Sequence, residues 1–345
     1  MRNRKIKHYL ILALVIAVML TGCEFETTNV DRHYDTELVV HFIDVGQGDS
    51  TFIQFPNGDT SLIDGGTRNN GEKVVKYLKD LKIDRIDYLI ATHPHEDHIG
   101  GLPDVIRNFD IGKVYMPERT ANTLIFEELL EAIKAKGLKV NIAKGADAII
   151  DEADINFLIL APNRNDYDKT NDFSIVTKVN YGSTSFIIAG DAEKESEMDI
   201  LKGGYDLKAD VLRIGHHGGK TSSIDEFLEA VKADCFVISV GSDNSYGHPH
   251  RETMDRISKI NSNSNILRTD KLGDIIIRSN GKELVLDDAI VTEDVNEVKY
   301  IGNKNTKVFH TIDCKSLPNK ENQIIFKSMD EAINSGYRPH EKCVK

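Results

Sequence analysis

Four metal-ligand side chains lie within the six residues His93-Pro94-His95-Glu96-Asp97-His98, directly after the apolar run that ends at Thr92. Side chains two apart at a strand end point the same way, so His93 and His95 can bind one ion together. Asp97 and His98 follow where the chain turns into a helix, and can serve a second ion. Four polar residues in an ordinary surface loop are the alternative, but so dense a cluster of imidazoles and carboxylates has no packing role. The motif predicts a metal site at a strand end.

Further segments accompany this motif in a fixed order. They are residues 41–50, 61–66, 171–174, 186–191, 210–218, 239–241 and 246–249. The ordered set resembles the metallo-β-lactamase superfamily, and within it the hydrolase domain of the ComEC-type DNA-uptake proteins, over residues 38–288. The resemblance implies a metal-dependent hydrolase that holds Zn²⁺ or Mn²⁺, as one or two ions. The chain lacks the multi-spanning channel of the ComEC-type proteins, so the resemblance implies no transport role.

The resemblance also assigns metal ligands. His93 and His95 would hold one ion, Asp97 and His98 the other, and Asp191 would bridge both. Either His216 or His217 should complete the second site. Because a strand alternates its faces, we favour His217 as the ligand and His216 as a neighbour that orients it. Many members carry a further histidine where this chain reads Asn171-Asp172-Phe173-Ser174, so the first site is expected to be poor in ligands.

Catalytic and orienting residues follow from the same motifs. Asp97 and His248 are the catalytic candidates. His248, in a rigid turn after an apolar strand, could donate to a developing oxyanion or protonate the leaving group, or it could be a surface histidine. Asp44, Asp64 and Ser174 are candidates for residues that orient the ligands. Asp64 could equally be an ordinary turn residue. The resemblance places Asp44, Gln47 and Asp49 in a loop beside the metals, where their polar groups could orient ligands or could simply cap the turn.

Strand-like runs alternate with amphipathic helical runs after residue 38. The predicted helices cover residues 72–81, 124–135, 193–201, 224–231 and 251–260, and strands separate them. Mixed strands and helices over this length indicate two sheets packed face to face with helices outside. The predicted fold is α+β, a four-layer αββα metallo-β-lactamase sandwich with a small C-terminal module. An acidic stretch poor in apolar residues predicts a linker at 289–298.

The N-terminus is typical of a bacterial lipoprotein signal peptide. Residues 1–22 carry Arg2, Arg4, Lys5 and Lys7, then an apolar run too short to span a bilayer comfortably, and Leu20-Thr21-Gly22 precedes Cys23. We predict lipidation of Cys23, a polar tether at 23–37 and a location on the outer face of the cell membrane. A plain anchor helix is the alternative. Removing four positive charges would take the net charge from −12 to −16, which is unfavourable for non-specific binding of a polyanion.

The segment 299–345 contains two pairs of nitrogen or sulfur ligands, His310 with Cys314 and His340 with Cys343. The pairs resemble the zinc-binding domain of the Ada DNA-repair proteins, with histidine in place of cysteine at His310 and His340. Two such pairs are the pattern of a structural Zn²⁺ site, which a module this small needs for stability. A metal-free tail closed by a Cys314–Cys343 disulfide is the alternative. From residue 296 the tail holds nine Lys or Arg against six Asp or Glu, which mildly favours contact with nucleic acid or an envelope polyanion.

These features predict a lipid-anchored, extracytoplasmic metallohydrolase. Hydrolysis of a phosphodiester, with DNA as the substrate, is the favoured reaction, and it depends on the family resemblance and the tail. The metal cluster alone suits a phosphorylcholine ester, a lactone or a β-lactam equally well. A surface DNA-binding protein with a weak metal site is a further alternative. No protein partner can be inferred.

Overall fold

The computed structural model describes residues 37–287, except 243, 262 and 263, and residues 300–344, except 312, 313, 315, 320, 321, 327, 328 and 341. The predicted signal peptide, Cys23, nearly all of the tether and the linker at 289–298 lie outside these residues. Within the described part of the chain, no helix is both long enough and apolar enough to cross a membrane.

The first of two large sheets has eight strands in the order β15-β14-β1-β2-β3-β4-β5-β6. Its strands are β1 (Leu38–Phe42), β2 (Thr51–Gln54), β3 (Thr60–Ile63), β4 (Arg85–Ile90), β5 (Asp110–Met116), β6 (Val140–Ile142), β14 (Ile275–Ser279) and β15 (Leu284–Leu286). The predicted antiparallel arrangement of β1 to β3 is confirmed, and β3 to β6 run parallel. Late in the chain, β14 returns to pair with β1, which the sequence did not predict.

The second large sheet has seven strands in the order β13-β12-β11-β10-β9-β8-β7. Its strands are β7 (Ala148–Asp151), β8 (Ile155–Ala161), β9 (Val176–Tyr181), β10 (Thr184–Ile188), β11 (Val211–Arg213), β12 (Cys235–Ile238) and β13 (Asn265–Arg268). Strands β10 to β13 are parallel. Ligands in such folds bind beyond the carboxyl ends of parallel strands, and this is where the loops after β3, β4, β10 and β11 lie.

Helices cover the outer faces of both sheets. They are α1 (Gly71–Asp80), α2 (Glu96–Ile99), α3 (Leu102–Asn108), α4 (Leu124–Ala135), α5 (Lys194–Lys202), α6 (Asp225–Val231), α7 (Arg251–Ile260) and α8 (Thr269–Leu272). Adjacent residues of β3 show the layering, because Leu62 packs under α1 and α3 while Ile63 packs in the core between the sheets. A third core lies between the second sheet and α5 to α7. The predicted four-layer αββα sandwich is confirmed.

The C-terminal module forms its own four-stranded sheet in the order β18-β16-β17-β19. Its elements are β16 (Tyr300–Asn303), β17 (Val308–Thr311), β18 (Gln323–Phe326), α9 (Met329–Asn334) and β19 (Arg338–Pro339). The buried part of its core consists of Phe309, Phe326, Ala332, Tyr337 and Val344. So small a core supplies little stability by itself, as predicted from the length of the segment.

Candidate metal centre

Asp191, in the loop after β10, lies at the centre of a cluster of imidazoles. Its Oδ2 is 3.6 Å from Nε2 of His217 and 3.9 Å from Nε2 of both His93 and His216. Its Oδ1 is 3.3 Å from Nε2 of His98. One oxygen of this buried carboxylate therefore faces His98 of the second predicted site, and the other lies 3.9 Å from His93 of the first, as a residue that bridges two cations requires.

The second predicted site brings together Asp97, His98 and His217, whose ligand atoms lie within 4.8 Å of one another. Nδ1 of His98 lies 2.7 Å from the Asp64 carboxylate, and Nδ1 of His217 lies 2.9 Å from the carbonyl oxygen of Ser239. Both partners accept hydrogen bonds, so each Nδ1 carries a proton and each Nε2 is the nitrogen turned towards the cluster. Nε2 of His217 points at Asp97 Oδ2, 3.2 Å away. Two imidazoles thus present the nitrogen that can bind a cation to two carboxylates.

The first predicted site contains His93 and His95, whose Nε2 and Nδ1 atoms are 3.0 Å apart. The hydroxyl of Thr92 donates to Asp64, so its oxygen is free to accept the Nδ1–H of His93 at 3.1 Å. Ser174 Oγ also lies 3.2 Å from this Nδ1 and accepts the backbone N–H of Asp191 at 3.1 Å. The predicted orienting residues Asp64 and Ser174 therefore contact the cluster. His93 is buried, whereas His95 lies at the exposed rim.

His216 and His217 are not in a strand, so strand alternation does not separate them. They follow β11 in a turn where both have left-handed backbone conformations, with φ of 52° and 53°. Such strain in two consecutive non-glycine residues is typical of functional sites. His217 is buried among the ligands, while His216 is partly exposed, with Nδ1 3.3 Å from Glu193 and Nε2 3.4 Å from Asn171. Both imidazoles nevertheless point Nε2 towards Asp191. In the described residues, neither His95 nor His216 joins a group of three closely spaced ligand atoms.

Charge is distributed unevenly over the cluster. Burial opposes the charged form of His98, but the carboxylates of Asp191, Asp64 and Asp97 raise its pKa well above the usual range. Burial likewise disfavours the charged form of Asp191, but the His98 and His217 imidazoles hold its pKa well below the usual range. Burial, reinforced by His98, lowers the pKa of His93. Positive charge is therefore favoured between Asp191 and His98.

The same atoms provide a test of whether a metal fits. Nε2 of His98 and Oδ1 of Asp191 are buried and face each other, yet neither has a hydrogen-bond partner of suitable geometry among the described residues. Buried polar atoms without partners are rare and often mark an ion. Imidazole nitrogens and carboxylate oxygens are ligands that Zn²⁺ and Mn²⁺ accept. The residues present therefore fit a divalent cation.

One predicted orienting residue, Asp44, does not contact the ligands. Asp44 was predicted to orient ligands, but its carboxylate accepts the N–H of Gly46 and lies 3.8 Å from Lys73. This is a correction, and Asp49 takes the place near the ligands, with Oδ2 3.8 Å from Nδ1 of His98. The neighbouring Gly48 lets this loop approach closely, because a Cβ there would lie 2.4 Å from the Asp97 carbonyl oxygen.

Arg213 was missed by the sequence analysis. Its side chain is fully buried, pairs with Asp49, donates to the carbonyl oxygen of Gly190 and lies 3.4 Å from Nδ1 of His217. It thus supports the backbone just before Asp191 and the loop that carries Asp49. The available signal was a single charged residue inside the apolar run Val211-Leu212-Arg213-Ile214, because a buried charge needs a partner.

His248 stands over the cluster on its outer side. Its ring centroid is 5.3 Å from that of His216 and 6.1 Å from that of His217, and the His217 ring is nearly parallel. Burial, together with His217 and His216, lowers the pKa of His248 to about 4. Its Nδ1 is buried without a hydrogen-bond partner among the described residues. The candidate catalytic histidine is therefore a neutral imidazole beside the predicted ligands.

The tail brings its four predicted ligands together within 4.8 Å. Nδ1 of His310 is 3.3 Å from Cys314 Sγ, and Nδ1 of His340 is 3.1 Å from Cys343 Sγ. Across the pairs, Cys314 Sγ is 3.6 Å from His340 Nδ1. Ligands about 2.1 to 2.3 Å from one Zn²⁺ in a tetrahedron are separated by roughly 3.4 to 3.8 Å. The separations of 3.1 to 3.6 Å are close to this range, so the donor set fits Zn²⁺. Both cysteines are free in this structure.

Comparison with known proteins agrees with this geometry. Residues 43–242, more than half of the 345-residue chain, match the family model described as the metallo-beta-lactamase superfamily. The chain belongs to the metallo-beta-lactamase superfamily. Within this superfamily it is a metal-dependent hydrolase. Residues 288–345 match the model described as the metal binding domain of Ada, which agrees with a C-terminal zinc module.

Curated relatives of this superfamily member include three bacterial proteins. ComE operon protein 3 of Bacillus subtilis is 32% identical over 256 residues, which are 69% of this chain and 33% of that protein. Recombination protein 2 of Haemophilus influenzae is 29% identical and covers 65% of this chain and 27% of its own length. Competence protein ComA of Neisseria gonorrhoeae is 28% identical, with 69% and 32% covered. The chain thus spans about a third of the length of these relatives.

Proposed function

We propose that this chain is a metal-dependent phosphodiesterase that cleaves DNA. The central observation is the buried Asp191 carboxylate, which faces Nε2 of His98 with one oxygen and Nε2 of His93 with the other, one histidine from each predicted cation site. Two-cation sites of this kind suit in-line displacement at phosphorus, because they hold the attacking and leaving oxygens together. The choice of DNA is supported by similarity to the relatives named as recombination and competence proteins.

Two cation positions share Asp191 in this proposal. Asp97, His98 and His217 would hold one cation, and His93 with His95, aided by His216, would hold the other. When bound, a divalent cation supplies Lewis-acid polarisation of a phosphoryl oxygen and lowers the pKa of water towards neutrality. Zn²⁺ and Mn²⁺ are both compatible with this mixture of imidazole and carboxylate ligands.

The remaining groups of the site act through hydrogen bonds. Asp64 holds the proton of His98 on Nδ1 directly, and that of His93 through Thr92. Arg213 is a buried cation that neutralises Asp49 without being a ligand. His248, neutral and beside the ligands, would donate an N–H to a phosphoryl oxygen as negative charge develops there. This donor role follows from its position over His216 and His217.

The test is cleavage of plasmid and single-stranded DNA by the full chain, purified in detergent and supplied with Mn²⁺ or Zn²⁺. We expect cleavage that a chelator abolishes. Asp191→Asn should remain folded by circular dichroism but lose at least about 100-fold in rate, because a neutral amide holds two cations poorly. Cleavage of a β-lactam, lactone or phosphorylcholine ester without cleavage of DNA would contradict the substrate proposal. Wild-type turnover by a folded Asp191→Asn variant would contradict the bridging role.

We also propose that Cys23 is lipidated and that the enzyme acts outside the cytoplasm. The basic residues 2–7, the apolar run after them and Leu20-Thr21-Gly22-Cys23 support this location. Cys23→Ala should leave the chain unprocessed or release it from the membrane fraction. Mass spectrometry of the mature N-terminus provides the decisive measurement, and an unmodified Cys23 in a cytoplasmic pool would refute the proposal.

A further inference from the structure

An exposed aromatic ring lies at the lip of the metal centre. Tyr246 is 65% exposed, and its ring stacks on that of His248, with centroids 5.7 Å apart and planes 22° apart. The His248 ring is also nearly parallel to that of His217, with centroids 6.1 Å apart and planes 28° apart. Three rings therefore form a column that runs from a buried predicted ligand to the surface. We call these three rings the aromatic column.

The loop that carries Tyr246 is held in place from within. The side-chain N–H groups of Asn244 donate to the carbonyl oxygens of Gly241 and His248, at 2.8 and 2.9 Å. Its side-chain oxygen accepts the N–H of His248 at 2.9 Å. Beyond the loop, the N–H of His250 donates to the carbonyl oxygen of Gly218, which follows His217. The exposed ring is thus tied to the loop that carries a predicted ligand, so it is a preorganised feature.

In the described part of the chain, core packing does not explain why an exposed aromatic residue stands at position 246. Among the described residues, the only ring that stacks with it is His248, and Tyr246 belongs to none of the hydrophobic cores. The aromatic face turned away from His248 can therefore receive another flat group. Offset stacking between rings 4.5 to 7 Å apart is favourable, and the spacings within the column fall in this range.

We propose that Tyr246 is a stacking platform for a nucleobase of single-stranded nucleic acid, next to the phosphodiester held at the metal centre. This inference rests on the proposed function and names its substrate class. In a duplex the base faces are covered by neighbouring bases, so only an unpaired base offers its face to a protein ring. Every base has such a face, so the platform is tolerant of sequence. The overall negative charge of the chain, −12, makes a contact that does not depend on basic residues especially useful.

The test compares two oligonucleotides that differ only in their bases. Fluorescence anisotropy would measure binding of the full chain, with Mn²⁺, to a cleavage-resistant phosphorothioate (dT)12 and to its abasic counterpart. Tyr246→Ala should weaken binding of (dT)12 by roughly 5- to 150-fold, the range for losing one stacked base. It should leave binding of the abasic strand unchanged. Tyr246→Phe, which keeps the ring, should bind (dT)12 within about twofold of the wild type, because stacking uses the ring face.

A second measurement observes the stacking directly. The chain contains no tryptophan, so Tyr246→Trp supplies a single reporter. Its emission should be quenched by (dT)12 and unchanged by the abasic strand. Val285→Ala, which truncates another exposed apolar side chain, in β15, is the control and should bind like the wild type.

The outcomes separate this inference from the proposed function. If the wild type binds (dT)12 and Tyr246→Ala binds it equally well, the platform is wrong while the nuclease proposal stands. If the Tyr246→Trp emission does not change although anisotropy shows that (dT)12 is bound, the platform is likewise wrong. If the wild type neither binds nor cleaves any nucleic acid, both proposals fail.

Discussion

The carboxylate of Asp64 lies 2.7 Å from Nδ1 of His98, and both side chains are fully buried. The same carboxylate accepts the hydroxyl and the backbone N–H of Thr92, at 2.6 and 2.8 Å. The hydroxyl oxygen of Thr92 in turn accepts the Nδ1–H of His93. One acid thereby sets the tautomers of a histidine in each of the two predicted cation sites.

Asp64→Asn should impair metal binding without unfolding the protein. Asp64 has φ of 59°, a conformation that asparagine tolerates. The amide would keep its oxygen on the Thr92 N–H and turn its NH₂ towards His98, which would shift the His98 proton to Nε2. We expect a loss of roughly 10- to 100-fold in metal affinity, measured by competition with a chromophoric chelator.

Asp44→Asn is the matched control for that substitution. Asp44 lies in the loop after β1, and its carboxylate contacts Gly46 and Lys73 instead of a predicted ligand. The metal affinity of the Asp44→Asn variant should equal that of the wild type. Equal losses in Asp44→Asn and Asp64→Asn would show that the effect comes from altered charge in general, and not from the tautomer of His98.

Arg213 and Asp49 form a buried ion pair whose disruption should be costly. Arg213→Met leaves the Asp49 carboxylate buried without its cation, so we expect a loss of about 3 to 5 kcal/mol in the free energy of unfolding. Removing both charges in Asp49→Asn/Arg213→Met should recover a substantial part of that loss. Urea unfolding of the two single variants and the double variant would give the coupling energy. Additive losses would show that the pair is not coupled.

Glu197 in α5 should make stability depend on pH. Burial raises its pKa to about 8, even though it accepts hydrogen bonds from the backbone N–H groups of Ser223 and Ile224. The folded state thus keeps a proton that the unfolded state loses near pH 4.5. The contribution of Glu197 to the free energy of unfolding is fully present below that pH. It is lost as the pH rises to 8, at up to about 1.4 kcal/mol per pH unit.

Glu197→Gln should remove this slope, because glutamine stays neutral throughout. The free energies of unfolding of the variant and the wild type would be measured from pH 5 to 9. That of the wild type should fall relative to that of the variant up to about pH 8, and the difference should stay constant above it. Glu195→Gln, at an exposed position of the same helix, is the control and should track the wild type. A stability difference between Glu197→Gln and the wild type that does not vary with pH would contradict the raised pKa.

The tail should fold around Zn²⁺ through His310, Cys314, His340 and Cys343. Bound structural zinc contributes on the order of 10 to 16 kcal/mol of apparent binding free energy, which outweighs the ordering cost of so small a module. A peptide covering residues 297–345 should be unfolded in chelator and become ordered with one equivalent of Zn²⁺. Cys314→Ser should stay unfolded under the same conditions. Folding would be measured by circular dichroism. If the peptide folds equally well in chelator, the zinc site is refuted.

Local patterns along the chain were enough to predict much of this protein. The layering of the sandwich follows from apolar periodicity, because a strand must place alternate side chains on opposite faces, as Leu62 and Ile63 do. The spacing within His93-Pro94-His95-Glu96-Asp97-His98 predicted a metal cluster, since its members are neighbours in sequence. The two ligand pairs of the tail were also evident because each pair is local.

Only the tertiary structure decided which distant residues meet. The contact between Asp64 and His98 spans 34 residues, and that between His217 and Asp97 spans 120; no local pattern encodes such distances. The exclusion of Asp44 in favour of Asp49 depends on how the Gly48 loop packs against Asp97. Similarly, His216 and His217 both face Asp191 because of their left-handed turn, whereas the sequence alone suggested a strand. Side-chain type and spacing are properties of the chain, but the partner that a buried charge finds is a property of the packed fold.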